Sequence, residues 1–372
     1  MNKMHIEAGS TTIERRLIQD AAWKRIPING SIELLPLCNM RCDMCYVRMD
    51  RQEMESKGRL RTAEEWLEVA RQMRDAGTLF LLLTGGEPLL YPGFRNLFAE
   101  LKRMGMILTV NTNGTLIDED WADFFAKNKP RRINITVYGS NNETYETLCH
   151  FPGGYDRVMN GIRLLQERGV DVKMAASVTP ANREDVPGLI ELARSMNTFI
   201  SVDCYMMPTR RENAEAYDGR SRLSPRDMAY MTHTTLLQKI GEERYRDYVS
   251  RQLDLIDHRP LPETPVKEPG GCLAGQCSFT VNWQGEMRPC VILSQPSVSV
   301  FDRPFGEAWQ RITKSHEDMC ICADCSVCKY RPVCHICPAA GLLEAGAYDA
   351  KPEYLCDYAE ELVRLMREYM GG

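Results

Sequence analysis

The chain has 372 residues and a formal net charge of -5. That length holds one large domain plus a smaller one, or a barrel with an appendix, and the acidic balance argues against a binder of nucleic acid or anionic membranes. No apolar run approaches a membrane span and Met1 to Arg16 lacks an apolar signal core, so a cytoplasmic, reducing setting is expected. There, fifteen cysteines point to metal binding or redox chemistry rather than to disulfides.

Residues 1–30 are expected to form an N-terminal helical segment, with Ile13, Leu17, Ala21, Ala22 and Trp23 on an amphipathic helix over 13–25. From Ser31 onward strands and helices alternate. The predicted strands are 31–37, 79–83, 107–111, 132–138, 171–178 and 199–205. Between them, Thr62 and Glu65 form a capping box before Trp66, Val69, Ala70 and Met73, and Gly77 ends that helix. Phe94, Leu97, Phe98 and Leu101 stop at Gly105, and Tyr155, Val158, Met159, Ile162 and Leu165 stop at Gly169. Six such units predict a parallel α/β sheet rolled into a partial barrel over 31–208, with ligand sites at the C-terminal strand ends.

Three cysteines, Cys38, Cys42 and Cys45, follow the first strand within eight residues. Thiolates are soft ligands that select zinc, copper or iron-sulfur clusters, and three from one loop leave a coordination position open. The second strand runs into Gly85-Gly86-Glu87-Pro88, where glycines admit close approach and a carboxylate suits an ammonium group. Asn113-Gly114 after the third strand is a turn signal, and its position at a strand end makes Asn111 or Thr112 a further candidate. In the fourth and fifth strands Asn134, Thr136 and Tyr138, and Lys173, Ala175 and Ser177, alternate with apolar residues. With Glu33, Asp203 and Tyr205 they describe a polar inner face, which suits a binding cavity better than a side-chain-filled core.

The Cys-x3-Cys-x2-Cys loop resembles that of the radical S-adenosylmethionine (SAM) superfamily, whose members hold a 4Fe-4S cluster this way and bind SAM at the open iron. The resemblance implies a partial (β/α)6 TIM-like barrel and hydrogen abstraction by a 5′-deoxyadenosyl radical. It also implies SAM contacts from Met44, Gly85, Gly86, Glu87, Asn111, Thr136 and Ser177. Met44 stands where the family usually carries an aromatic residue, and Thr136 where it often carries serine.

After Met207-Pro208 comes a linker and helical segment over 209–270. It is polar at first, with Arg210, Arg211, Arg220 and Arg222, and helical from Ser224-Pro225 to about Ile256. Residues 271–372 carry Cys272, Cys277, Cys290, Cys320, Cys322, Cys325, Cys328, Cys334, Cys337 and Cys356. Zinc ribbons are one reading of such knuckles. Their order resembles the SPASM extension of peptide-modifying radical SAM enzymes. That resemblance assigns Cys272, Cys277, Cys290 and Cys337 to one auxiliary 4Fe-4S cluster, and Cys325, Cys328, Cys334 and Cys356 to a second. Cys149, read as lying in a loop beside His150, Cys204, read as an outward-facing structural thiol, and Cys320 and Cys322 are left over.

The expected activity is oxidative modification of a ribosomally made peptide by a thioether or carbon-carbon cross-link, or its epimerisation. Tyr138, Lys173 and Cys149 are the catalytic candidates. A flavodoxin or ferredoxin is the expected electron donor, and the expected protein is a monomer without nucleic-acid or membrane partners. The alternatives are a radical SAM dehydrogenase or decarboxylase of a small molecule or cofactor precursor, and a non-enzymatic electron carrier. Val291 follows Cys290 where sulfatase-maturing relatives carry an acid, so formylglycine formation is not expected.

Overall fold

The computed structural model describes residues 12–208 and 221–371. Arg210, Arg211 and Arg220 of the polar segment, and the start of the N-terminal one, lie outside the described residues. Over its described residues the chain divides into two compact units, one of Met1–Val137, Asn141–Ala175 and Cys272–Glu317, the other of Tyr138–Ser140, Ala176–Gly271 and Asp318–Gly372.

The strands in chain order are β1 (Asn29–Glu33), β2 (Phe80–Thr84), β3 (Ile107–Thr112), β4 (Arg132–Thr136), β5 (Val172–Ser177), β6 (Phe199–Asp203), β7 (Glu268–Pro269), β8 (Ser278–Val281), β9 (Glu286–Arg288), β10 (Val298–Ser299) and β11 (Cys320–Ile321). In the first unit β1 to β5 pair in sequence order, each parallel to the next. β6 lies in the second unit, where the Val178 N–H donates to the Asp203 carbonyl at 2.8 Å. Parallel strands joined by helices are the TIM-like partial barrel fold. Such connections put the C-terminal ends of successive strands on one side, where loops assemble a site.

Helices cover the sheet for reasons legible in their sequences. Ala63–Asp75 starts at the Thr62–Glu65 capping box and buries Trp66, Val69, Ala70 and Met73. Phe94–Arg103 buries Leu97, Phe98 and Leu101, and Gly154–Glu167 buries Val158, Ile162 and Leu165. The N-terminal helix Thr12–Lys24 differs from its predicted face: Ala21 and Ala22 are buried, whereas Ile13 and Trp23 are 80% and 87% exposed.

The first strand begins two residues before its predicted start and ends at Glu33. Pro36 has no N–H to give to a ladder. Leu34 to Leu37 instead run beside the end of β2: the Leu34 N–H donates to the Thr84 carbonyl, Gly86 N–H to Leu35 O at 2.7 Å, and Glu87 N–H to Leu37 O at 2.9 Å. On the other side of β1 the sheet continues with β8, parallel, and then antiparallel β9 and β10. Gly30 makes this possible, since a Cβ there would lie 2.4 Å from the Phe279 ring. Residues 272–317, predicted as the start of a C-terminal domain, therefore belong to the first unit, while 318–371 belong to the second.

In the second unit the helical stretch from Ser224 is two helices, Pro225–Ile240 and Glu242–His258. Gly241 between them has φ of 81°, a conformation that breaks a helix. Helix Glu353–Met370 packs on Pro225–Ile240, and β7 pairs antiparallel with β11. Among the described residues no helix is long and apolar enough to cross a membrane.

Candidate active site

The polar strand face lies where the alternation places it. Ile133, Ile135, Val172 and Met174 are buried, and Asn134, Thr136 and Lys173 between them are half-buried. Register aligns Asn111 of β3 with Asn134 of β4, and Asn134 with Lys173 of β5. The Asn134 amide donates to Asn111 Oδ1 at 2.8 Å. Thr136 stands one pleat further on, beside Ala175. Tyr138 and Ser177 fall in the second unit, as do the exposed Asp203 and half-buried Tyr205.

Cys38, Cys42 and Cys45 are half-buried on the loop that leaves the end of β1. The loop is folded by its own backbone: the Cys45 N–H donates to Cys42 O at 3.0 Å. Two N–H groups point at sulfur, Met40 at Cys38 Sγ (3.4 Å) and Arg48 at Cys45 Sγ (3.3 Å). Burial pushes the Cys38 thiol up to about 12, with Glu87, Cys45 and Cys42 adding to the repulsion. Cys45 is raised too, mainly by burial and then by Cys42. Two sulfurs that are costly to ionise, Cys38 and Cys45, each in reach of an N–H donor and with Cys42 beside them, are a donor set that a cationic iron cluster would stabilise.

The Gly85-Gly86-Glu87 stretch is built into the same loop base. A Cβ on Gly86 would lie 2.2 Å from the Leu37 carbonyl oxygen, and one on Gly85, at φ 142°, 2.5 Å from that of Leu35. The glycines admit this chain's own backbone. Glu87 is fully buried and its carboxylate accepts from Leu89 N–H at 3.0 Å, Asn113 N–H at 2.8 Å and the Thr112 hydroxyl at 2.8 and 2.9 Å. Burial still dominates these donors and raises its pKa to about 7.

Sequence reasoning missed most of the residues that brace the loop. The Asn113 amide donates to Asn39 Oδ1 at 2.9 Å and lies 3.6 Å from Cys38 Sγ, while Asn39 donates to Thr115 Oγ1 at 2.8 Å. In the sequence, Asn113-Gly114 carries only a turn signal. Cys149, read as a loop residue, ends the helix Asn142–Cys149, and that helix end meets the loop: Arg41 N–H donates to Cys149 O at 2.9 Å and Asp43 N–H to Leu148 O at 3.1 Å. Cys149 is fully buried, and its neighbour Cys42, burial and the surrounding charges hold its thiol far above the usual range. Met44 is buried.

The second predicted array, Cys325, Cys328, Cys334 and Cys356, lies within the second unit. Burial raises the Cys325 thiol to about 12, with Cys322, Cys334 and Cys356 each adding to the shift, and Cys334 to about 11, with Cys356 and Cys328 adding. The Arg259 guanidinium donates to Cys328 O at 2.9 Å. Cys322, a leftover thiol, is buried. The first predicted array is divided, with Cys272, Cys277 and Cys290 in the first unit and Cys337 in the second. Cys277 packs among Ala21, Ala22, Ile28 and Phe80, with its thiol 3.9 Å from the Ile18 carbonyl oxygen. Cys337 caps helix Pro338–Ala345 through Ala340 N–H. Cys204 is buried, and burial pushes its thiol up to about 12.

Among the described residues no three of His, Cys, Asp and Glu converge on one point as ligands of a single metal ion. A zinc ion would draw its sulfurs to about 2.3 Å from one centre. A four-iron cluster instead gives each thiolate its own iron.

With this geometry in view, the comparisons give the class. Residues 32–193 match the Radical SAM superfamily and form a radical SAM domain, so the chain carries an enzyme domain of that kind. Its relatives include maturases of peptides. The chain is 23% identical over 356 residues to the antilisterial bacteriocin subtilosin biosynthesis protein AlbA of Bacillus subtilis, covering 90% of this chain and 73% of that one. It is 25% identical over 340 residues to an AdoMet-dependent heme synthase of Methanosarcina barkeri, covering 88% and 95%. Streptococcus suis SuiB, in its structure bound to precursor peptide SuiA, shares the fold with a TM-score of 0.67 and 17% identity over 95% of this chain and 83% of that one.

Proposed function

We propose that this enzyme modifies a ribosomally made peptide, by an oxidative thioether or carbon-carbon cross-link or by epimerisation. The observation that carries the reading is similarity to a bacteriocin maturase over nine-tenths of the chain. Cys38, Cys42 and Cys45 would hold the SAM-binding 4Fe-4S cluster, which with SAM supplies the radical that removes a substrate hydrogen atom. Around it this chain's residues position and shield. Asn113 and the backbone N–H groups of Met40 and Arg48 orient the ligand sulfurs, and Glu87 fixes the strand ends beneath them. Asn111, Asn134 and Lys173 offer hydrogen-bonding groups that suit a polypeptide backbone. Two auxiliary clusters in a SPASM-type arrangement, a flavodoxin or ferredoxin donor and a monomeric state belong to the same proposal.

A second reading, oxidation or decarboxylation of a small molecule, is favoured by the heme synthase relative. The test uses anaerobically reconstituted full chain with SAM and a strong reductant. It is offered either the short peptides encoded beside its own gene or an iron tetrapyrrole precursor. Loss of two hydrogen atoms from a peptide, or uptake of solvent deuterium at one α-carbon, coupled to 5′-deoxyadenosine, supports the peptide reading. Coupled turnover of the tetrapyrrole with every peptide unchanged overturns it.

A further inference from the structure

Helix Ala63–Asp75 and the loop over 300–304, both in the first unit, flank a cavity of about 430 Å³. Val69 and Val300, each 2% exposed, supply its apolar lining. The chain's own bonds hold the walls in place. Val300 N–H donates to Gly285 O at 2.9 Å, the Phe301 and Asp302 N–H groups share the Ser299 hydroxyl at 3.3 and 3.2 Å, and Phe305 N–H donates to Gln72 Oε1 at 2.9 Å. The Phe301 ring stands edge-on to Trp66 with centroids 5.3 Å apart and carries the Arg61 guanidinium 4.1 Å from its centre. A Cβ on Gly285 would lie 2.1 Å from that ring, so glycine is what lets the loop close down on the sheet.

The polar groups of this cavity are unevenly matched. Glu65 is taken up by Arg59 at 2.7 Å, and Glu68 by Arg71. Among the described residues Asp302 and Arg303 have no ion-pair partner and the Gln72 NH2 group has no acceptor. Arg303 Nε is buried and makes no hydrogen bond, a state that costs stability unless an acceptor arrives from outside the chain. We propose that the cavity binds an amino-acyl segment of the substrate peptide, away from the residue that is modified. The proposal rests on the peptide reading above. A peptide carbonyl accepts from Arg303 and Gln72, a peptide N–H donates to Asp302, and an apolar side chain fits between Val69 and Val300. A purely apolar ligand leaves the Arg303 donor unmatched, and a simple anion would lie against Asp302, Glu65 and Glu68. The volume falls within the range of small-ligand sites, about 300–1,000 Å³, which suits a short stretch of chain. None of the lining residues belongs to the cysteine loop or to the polar strand face, so the site anchors the peptide without touching the reacting atoms.

The test compares wild type with Asp302→Ala and with the double variant Asp302→Ala, Arg303→Met, whose methionine keeps an apolar stem and removes the donors. All are anaerobically reconstituted full chains, checked for iron content and for the paramagnetic signal that responds to SAM. The probes are the short peptides encoded beside the gene, dye-labelled, whole and as halves, with binding read by fluorescence anisotropy and modification by mass spectrometry. N-acetyl amino acid amides serve as the small-molecule arm. The expected result is that the double variant binds the whole peptide and one of its halves about tenfold more weakly, the loss of two charged hydrogen bonds, and that the loss falls on KM rather than kcat. Asp302→Ala, at an exposed position, should show a smaller change of the same kind and keeps the test decisive if the double variant loses its iron. Variants that match wild type in affinity and KM overturn the proposal, as does a loss confined to kcat. Amides that bind wild type but not the variants, while every peptide binds both alike, assign the cavity to a free metabolite and overturn it too. A wild-type protein that modifies none of the peptides overturns the underlying peptide reading instead.

Discussion

Replacing Glu87 by glutamine tests the buried carboxylate that ties β2 to β3. Its pKa is raised from 4.5 to about 7, chiefly by burial. Because the folded-state value lies above the unfolded one, its favourable contribution is complete below about pH 4.5 and is lost as pH rises through about 7. At 1.36 kcal/mol per pH unit, ionisation costs the folded chain about 3 kcal/mol across that window. Glutamine does not titrate, so this slope disappears. It also exchanges one acceptor oxygen for an NH2 group, while the Leu89 and Asn113 N–H groups approach opposite oxygens of the carboxylate. One of the two buried donors is then unmatched, at about 1–3 kcal/mol. Glu87→Gln should therefore be less stable than wild type near pH 5 by that amount, and as stable or more so near pH 8. Urea unfolding of both proteins, prepared identically under reducing anaerobic conditions without SAM, measures the difference. A stability gap that stays constant between those pH values refutes the reasoning.

Three further outcomes are expected. Cysteines grouped as three, four and four give about twelve irons per chain, and changing Cys38, Cys42 and Cys45 together to alanine should remove about a third of the iron and all 5′-deoxyadenosine formation; iron analysis and product chromatography check both. Tyr138→Phe and Lys173→Ala should each slow modification of the cognate peptide at unchanged iron content, and native rates in both would remove them from the substrate site. A sulfatase-type Cys or Ser peptide should yield no formylglycine by mass spectrometry, because valine at position 291 takes no proton.

The parallel sheet was legible because each strand and helix carries its own period, and the cysteine loop because its three cysteines lie within eight residues. The helix Asn142–Cys149 was not. Its Asn141 cap follows Gly139-Ser140 and its length is two turns, so neither periodicity nor a strong breaker sets it apart. The strands β8 to β10 were missed for another reason. They are two to four residues long, and their place beside β1 depends on Gly30 leaving room for Phe279, a contact between residues 249 positions apart. Asn113 shows the general difficulty: its sequence context is that of an ordinary turn, and only the approach of β3 to the loop after β1 reveals the three groups it joins.

The same strand-end assembly makes a last prediction about Gly86. The motif residues were read from sequence as a cradle for a ligand, and in the folded chain they first cradle the segment that delivers Cys38. Leu35 O and Leu37 O accept from Gly86 and Glu87 N–H, so the two backbones are locked in register and neither can retreat without losing those bonds. A methyl group on Gly86 would meet Leu37 O at 2.2 Å and Leu37 C at 2.6 Å. Both are backbone atoms, so no rotamer change relieves the contact. Leu37 immediately precedes Cys38, and any shift that accommodates the methyl displaces the Cys38 sulfur relative to Asn113. Gly86→Ala should therefore lower the iron bound at the loop and abolish the SAM-responsive signal, beyond any loss of overall stability. Gly306→Ala is the control: a Cβ there meets nothing within 4 Å, and alanine in a helix is favoured over glycine by about 0.5–1 kcal/mol. If Gly86→Ala binds iron and SAM as the Gly306 variant does, the backbone lock is not what positions Cys38.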